Sequence, residues 1–132
     1  MRRVLISAGD ASGELHAAIF TKALLAKLPT LEVEGLGGPH MERAGVTLLA
    51  DQKELAVGGL LEVLRDLGRV WAIYKTMRSA LRERRPDLLV LVDSPDFNLP
   101  LARVAKRLGV PVLYYITPQV WAWRRYRIGK IS

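Results

Sequence analysis

Residues 88–92, Leu-Leu-Val-Leu-Val, do most to restrict how this chain can fold, because five apolar residues run unbroken between Asp87 and Asp93. A run of that length and make-up, with a proline just beyond it, reads as a strand buried on both faces. In open parallel α/β sheets, ligands gather beyond the carboxyl ends of the strands, and there the chain continues as Asp93-Ser94-Pro95-Asp96-Phe97-Asn98. One of Asp96 and Asn98 is expected to cap the next helix, with Pro100 in that helix's first turn. Asp93 comes too early for capping, so a carboxylate at the end of a buried strand needs a separate reason.

The rest of the chain alternates strand-like and helix-like segments. Val4-Leu5-Ile6 leads into Gly9-Asp10-Ala11-Ser12-Gly13-Glu14 and then a helical apolar pattern, the opening of a βαβ unit. Ser12 is the expected N-cap, and Leu15, Ala18, Ile19, Phe20, Leu24 and Leu28 the expected buried stripe. The loop has neither the G-x-G-x-x-G order nor the lysine of a P-loop, so a plain tight turn explains it as well as phosphate binding does. A second strand over residues 31–36 ends in Gly37-Gly38-Pro39, followed by a short helix from His40 to Arg43. Gly35, Gly37 and Gly38 suit a crevice where a ligand meets main chain. Val46 to Leu49 reads as a third strand and Asp51 to Leu55 as helical.

From Gly58 to Arg85 the pattern is helical, with a break expected near Gly68 and one inward line of Leu60, Val63, Leu67, Val70, Tyr74, Met77 and Leu81. Leu61, Leu64, Trp71 and Ile73 fall off that line, which means either deep burial or an exposed patch; the flanking arginines would suit an anionic lipid surface. After the central strand, Phe97, Leu101, Val104, Ala105 and Leu108 face the core until Gly109, and residues 110–116 form a last strand. The aromatic and arginine-rich stretch from Val120 to Arg127 fits base stacking, a core edge or a membrane interface. The alternation predicts a three-layer α/β domain with about five parallel strands, near residues 3–8, 31–36, 46–49, 87–92 and 111–116.

Charge and residue usage narrow the function classes. The net charge of +7 is divided as −2 over residues 1–66 and +9 over 67–132, so the second half asks for an anionic partner: nucleic acid, a membrane surface or a phosphorylated ligand. With no cysteine there is no disulfide, thiolate metal site or cysteine nucleophile, and the expected compartment is the cytoplasm. Met1-Arg2-Arg3 opens like a signal peptide, but the apolar run after it stops at Ile6. His16 and His40 lack companions at metal-ligand spacing, so no metal is expected.

Four motifs carry a resemblance: Ala8-Gly9-Asp10-Ala11-Ser12-Gly13-Glu14, Gly35-Leu36-Gly37-Gly38-Pro39-His40-Met41, Val92-Asp93-Ser94-Pro95-Asp96-Phe97-Asn98, and Tyr115-Ile116-Thr117-Pro118-Gln119-Val120-Trp121-Ala122-Trp123-Arg124. In order and spacing the chain resembles the N-terminal part of the lipid A disaccharide synthase family. The resemblance implies the Rossmann-like N-terminal domain of a two-domain glycosyltransferase of the B type, with residues 1–132 as a single acceptor-side domain and the UDP-binding domain absent. The activity implied is that of an inverting hexosyltransferase. It moves 2,3-diacylglucosamine from its UDP conjugate to 2,3-diacylglucosamine 1-phosphate through a β-1,6 link, peripherally on the cytoplasmic face of the inner membrane.

No cofactor is implied. Partners would be the two lipid substrates, the anionic inner-membrane surface, the C-terminal UDP-binding domain and, as an open alternative, a second copy of the chain. The resemblance makes Asp93 the candidate general base. Asp10, Ser12, Gly13, Glu14, Gly37, Gly38, Asn98, Gln119, Trp121 and Arg124 are candidate substrate contacts, and Leu61, Leu64, Leu67 and Trp71 candidate acyl-chain or membrane contacts. The family usually has Glu where Asp10 stands and Asp where Glu14 stands, so the two acids are exchanged here. A non-catalytic nucleotide- or RNA-binding α/β module is the alternative, against which the missing dinucleotide fingerprint and RNA-binding signatures count.

Overall fold

The computed structural model describes the backbone of residues 1–55, 60–93 and 95–115, and the side chains of these apart from residues 54, 55, 60–67, 95 and 96. Five strands, β1 (Arg3–Ala8), β2 (Glu32–Gly37), β3 (Thr47–Asp51), β4 (Leu88–Val92) and β5 (Val112–Tyr115), form one sheet in the order β3-β2-β1-β4-β5. All four pairings are parallel, with Ile6 opposite both Gly35 and Val90. The five strand positions agree with the sequence expectation to within a residue or two. β4 is Leu88–Val92, and Leu89 to Val92 are all buried.

Parallel pairing forces a crossover between successive strands, and the helices are α1 (Ala11–Lys27), α2 (Pro39–Ala44), α3 (Leu60–Arg84) and α4 (Pro95–Leu108). Strand residues alternate between two cores, as a period of two requires. Val4, Ile6, Ala8, Val90 and Val92 pack with Ala17 and Ala18 of α1 and Met41 of α2. Leu5, Leu36, Leu89 and Leu91 pack with Ile73, Met77 and Leu81 of α3 and Leu101 of α4. Each fully buried Leu, Ile or Val contributes roughly 1.5–3 kcal/mol, which is why the unbroken β4 run fixes the centre of the domain. The helices change faces between β1 and β4, where the strand order reverses.

Several local expectations are corrected. Helix α1 starts at Ala11 and its N-cap is Asp10, whose carboxylate accepts from the Gly13 N–H at 2.6 Å; Ser12 lies in the first turn and is exposed. Its buried face is Gly13, Glu14, Ala17, Ala18 and Thr21, whereas Leu15 and Ile19 are exposed. Small residues on that face let the helix approach the sheet: a Cβ on Gly13 would lie 3.2 Å from Val92 Cγ1. Helix α3 runs through Gly68 without a break, and Ile73 belongs to the core. Asp51 ends β3, and only Gln52–Leu55 coil, as a 3₁₀ turn. Pro100 lies inside α4, beyond the turn in which an N–H lacks a partner, so it costs that helix a hydrogen bond.

At the amino ends of the strands, Arg3 pairs with Glu32 and Glu34, and Arg84 at the end of α3 also pairs with Glu34. The Asp87 carboxylate accepts the backbone N–H groups of Arg2 and Arg3, and these bonds hold its pKa below the ordinary value. This end of the sheet is tied by charge, leaving the opposite end for chemistry.

Candidate active site

The strand order reverses between β1 and β4, and the crevice outside the carboxyl ends at such a reversal is where ligands of open α/β sheets bind. Two carboxylates, Asp10 after β1 and Asp93 after β4, flank it.

Asp93 is buried, with 3% of its surface exposed, and has a φ of +49°, in the left-handed region that non-glycine residues rarely occupy. Strain of this kind costs about 1–3 kcal/mol and persists only where neighbours enforce it. Here they do. The Asp93 N–H donates to the Tyr115 carbonyl at 3.1 Å, and its own carbonyl accepts from the Asn98 amide and from the Tyr114 hydroxyl, both at 2.8 Å.

Asn98 is fully buried and works as a strut. Its Oδ1 accepts the Ser7 hydroxyl at 2.6 Å, and its Nδ2 reaches the carbonyls of Ser7, Val92 and Asp93. The side chain therefore joins the ends of β1 and β4, with both of its polar atoms bonded within the chain. Since α4 begins at Pro95, Asp96 and Asn98 both lie within the helix and neither is its cap.

Glu14 is also turned inward. It is 2% exposed, takes the Met41 N–H at 2.6 Å and lies 2.7 Å from Nδ1 of the half-exposed His40. It clamps α2 to α1. Gly37 and Gly38 make room for the protein's own side chains: a Cβ would come 2.1 Å from Met41 Sδ at Gly37 and 2.9 Å from Glu14 Cγ at Gly38. Asp10 and Ser12 remain exposed at the crevice mouth, with Gly13 buried between α1 and β4. Nothing in the sequence pattern marks Ser7 or Tyr114 as part of the network around Asp93.

An aromatic series leads away from Asp93 over α4 and α3. Phe97 meets Tyr74 edge-on at 6.2 Å, and Tyr74 stacks on Trp71 at 5.5 Å. Trp71 is 52% exposed, with Lys75 Nζ 5.9 Å and Arg78 Cζ 5.6 Å from its ring centroid. Leu61, Leu64 and Leu67 lie in the first turns of the same helix, but their side chains are outside the described residues, as are Gln119, Trp121 and Arg124 altogether. A groove of about 560 Å³ between α3 and Leu49 of β3 shares no residue with the crevice. Among the described residues no cluster of three or more His, Cys, Asp or Glu could hold a metal, and no helix is long and apolar enough to cross a membrane.

A parallel sheet in this order with helices on both faces is a Rossmann-like α/β domain, a fold shared with solved glycosyltransferases. The glycotransferase of kitacinnamycin superposes with a TM-score of 0.63 at 18% identity, over 96% of this chain and 34% of that one. MurG of Acinetobacter baumannii gives 0.58 at 15% identity, over 88% and 35%. The chain belongs to the lipid-A-disaccharide synthase family: the model of that family, lipid-A-disaccharide synthetase, matches residues 4–132.

Relatives named lipid-A-disaccharide synthase from Geobacter metallireducens, Geobacter sulfurreducens and Myxococcus xanthus are 52%, 51% and 49% identical over 98–99% of this chain. The chain spans about a third of their length, 34% in each case.

Proposed function

We propose that this domain is the acceptor-binding side of an enzyme that joins two diacylglucosamine units, with Asp93 as the general base. The donor would be UDP-2,3-diacylglucosamine and the acceptor 2,3-diacylglucosamine 1-phosphate. The acceptor's 6-hydroxyl attacks the donor's anomeric carbon with inversion, the bond to UDP breaks, and the hydroxyl proton passes to a carboxylate. A sugar hydroxyl is a weak nucleophile until that proton is taken, an effect typically worth ~10²–10⁴-fold.

The observation that carries the reading is Asp93 itself, a carboxylate held in a left-handed conformation at the carboxyl end of the central strand pair. The carboxylate of Asp10 accepts the Gly13 N–H as the cap of α1. It stays beside Ser12 and Gly13 as a candidate for contacting substrate hydroxyls or phosphate. Gln119, Trp121 and Arg124 stand as further candidates on the strength of the family motif. UDP recognition is assigned to the part of the relatives' length that this chain does not span, so the domain by itself is expected not to turn over.

The exposed Trp71 with its two cations supports a peripheral contact with anionic lipid on the cytoplasmic face of the inner membrane, with Leu61, Leu64 and Leu67 as partners in acyl-chain contact. The series from Trp71 through Tyr74 to Phe97 would then give the acyl chains an apolar route from the bilayer towards Asp93.

Steady-state kinetics of a full-length enzyme carrying this domain test the base. Asp93→Asn should lower kcat by about 10²–10⁴-fold with little change in acceptor KM, while Asp10→Asn keeps most of the turnover. Near wild-type kcat in Asp93→Asn, with Asp10→Asn inactive, would reverse the assignment.

A further inference from the structure

We infer that Tyr114, with the Ser7–Asn98 pair behind it, is a positioning device that holds the Asp93 carboxylate in its reactive direction. The inference rests on Asp93 being the general base and names the groups that make it one.

A peptide carbonyl has two lone pairs, and on Asp93 both are used: Nδ2 of Asn98 and the hydroxyl of Tyr114 each lie at 2.8 Å. The two donors come from different elements, α4 and β5, and the Asp93 N–H is held by Tyr115 of β5. Both backbone polar groups of the residue are therefore fixed from outside β4. Moving φ from +49° into the ordinary negative region would turn the side chain by more than about 100° about the N–Cα bond. The carbonyl clamp opposes that rotation, so it sets the direction of the Cα–Cβ bond that carries the carboxylate.

Three carbonyls set the orientation of the Asn98 amide, and Ser7 completes it from the other side. Its hydroxyl donates to Oδ1 at 2.6 Å, which leaves the two Nδ2 hydrogens for the three carbonyls of Ser7, Val92 and Asp93, and the Asp93 carbonyl is the nearest of the three. With every acceptor in place, the amide cannot flip without bringing its oxygen against carbonyl oxygens. Tyr114 is half-buried at the sheet edge and packs against the α3–α4 core, so removal of its hydroxyl leaves the ring's packing intact.

The test is a double-mutant cycle on a full-length enzyme, read as kcat and acceptor KM separately. Tyr114→Phe should lower kcat about ten- to a hundred-fold, the scale on which small displacements of a reacting group act, while acceptor KM stays within about two-fold. In an Asp93→Asn background the same change should cost nothing further, because a positioning group works only through the residue it positions. A wild-type kcat for Tyr114→Phe, or losses that multiply in the double variant, would overturn the inference while leaving Asp93 as base.

Unimpaired Asp93→Asn would instead overturn the underlying assignment. Should Tyr114→Phe fail to fold, Ser7→Ala takes its place. It should show the same loss confined to kcat and the same absence of effect beside Asp93→Asn, and multiplying losses there would again refute the device.

Discussion

Glu14 is the sharpest test of the difference between a residue that looks functional in the sequence and one that the fold has absorbed. Its carboxylate is 2% exposed and bonded to the buried Met41 N–H, and its methylenes fill the space that a side chain at Gly38 would need. A hydrogen bond to a charged group contributes about 1.5–3 kcal/mol, and an orphaned buried N–H adds a penalty of similar size. The one lost methylene adds roughly 0.8 kcal/mol, the half-exposed His40 contact about 0.5, and relief of the buried charge's desolvation offsets part of the total.

Glu14→Ala should therefore destabilise the domain by about 2–4 kcal/mol. Glu14→Gln keeps an acceptor for Met41 and should cost about 1. Urea unfolding gives the two values, and amide exchange at Met41 should accelerate more in the alanine variant. If both variants keep wild-type stability while acceptor binding collapses, Glu14 is a substrate contact and the structural reading is wrong.

Gly35→Ala should abolish stable folding or cost more than about 3 kcal/mol, since the new Cβ would lie 1.8 Å from the Ile6 carbonyl oxygen; a soluble variant with an unchanged melting temperature would contradict the close pairing of β1 and β2. Asp87 has its pKa lowered by backbone N–H bonds, so it contributes stability above the ordinary carboxylate range that is lost as pH falls through its folded-state value. Asp87→Asn should flatten the acid limb of the stability–pH curve, and an unaltered limb would remove Asp87 from it. Trp71→Ser should weaken binding to vesicles containing anionic lipid with little change in melting temperature, because the ring is already 52% exposed; unchanged vesicle binding would move the membrane contact elsewhere.

The strands were legible because β1, β3, β4 and β5 carry apolar runs and β2 alternates, each close to a Gly, Pro or Asp, and β4 needs no periodicity argument at all. In helix α1 hydrophobicity and burial part company. Its inner face needs small residues to sit close to β4, so Gly13, Ala17 and Ala18 are inside and Leu15 and Ile19 are not. Asp93 could be located from its place after a buried run. The function of Asn98 could not, because a polar residue in a helix's opening turns looks the same whether it faces a ligand or three carbonyls of its own chain. Strand alternation could have put Tyr114 on the α4 side, but nothing in the sequence aims its hydroxyl at residue 93.

The central position of β1 has a consequence for how the chain acquires its shape. Its first partner, β2, arrives soon after it in the sequence, while its second, β4, begins only at Leu88, after β2, β3 and the whole of α3 have been made. Closing so long a loop is slow, since the entropy of closure precedes any reward from pairing. During synthesis the β1–β2–β3 half-sheet thus waits with one edge of β1 unpaired, an edge that invites pairing with other chains. The five apolar residues of β4 end that exposure by sealing both faces and the open edge in a single docking event, so substitutions that slow this docking should show first as aggregation of nascent chains and only later as lost stability.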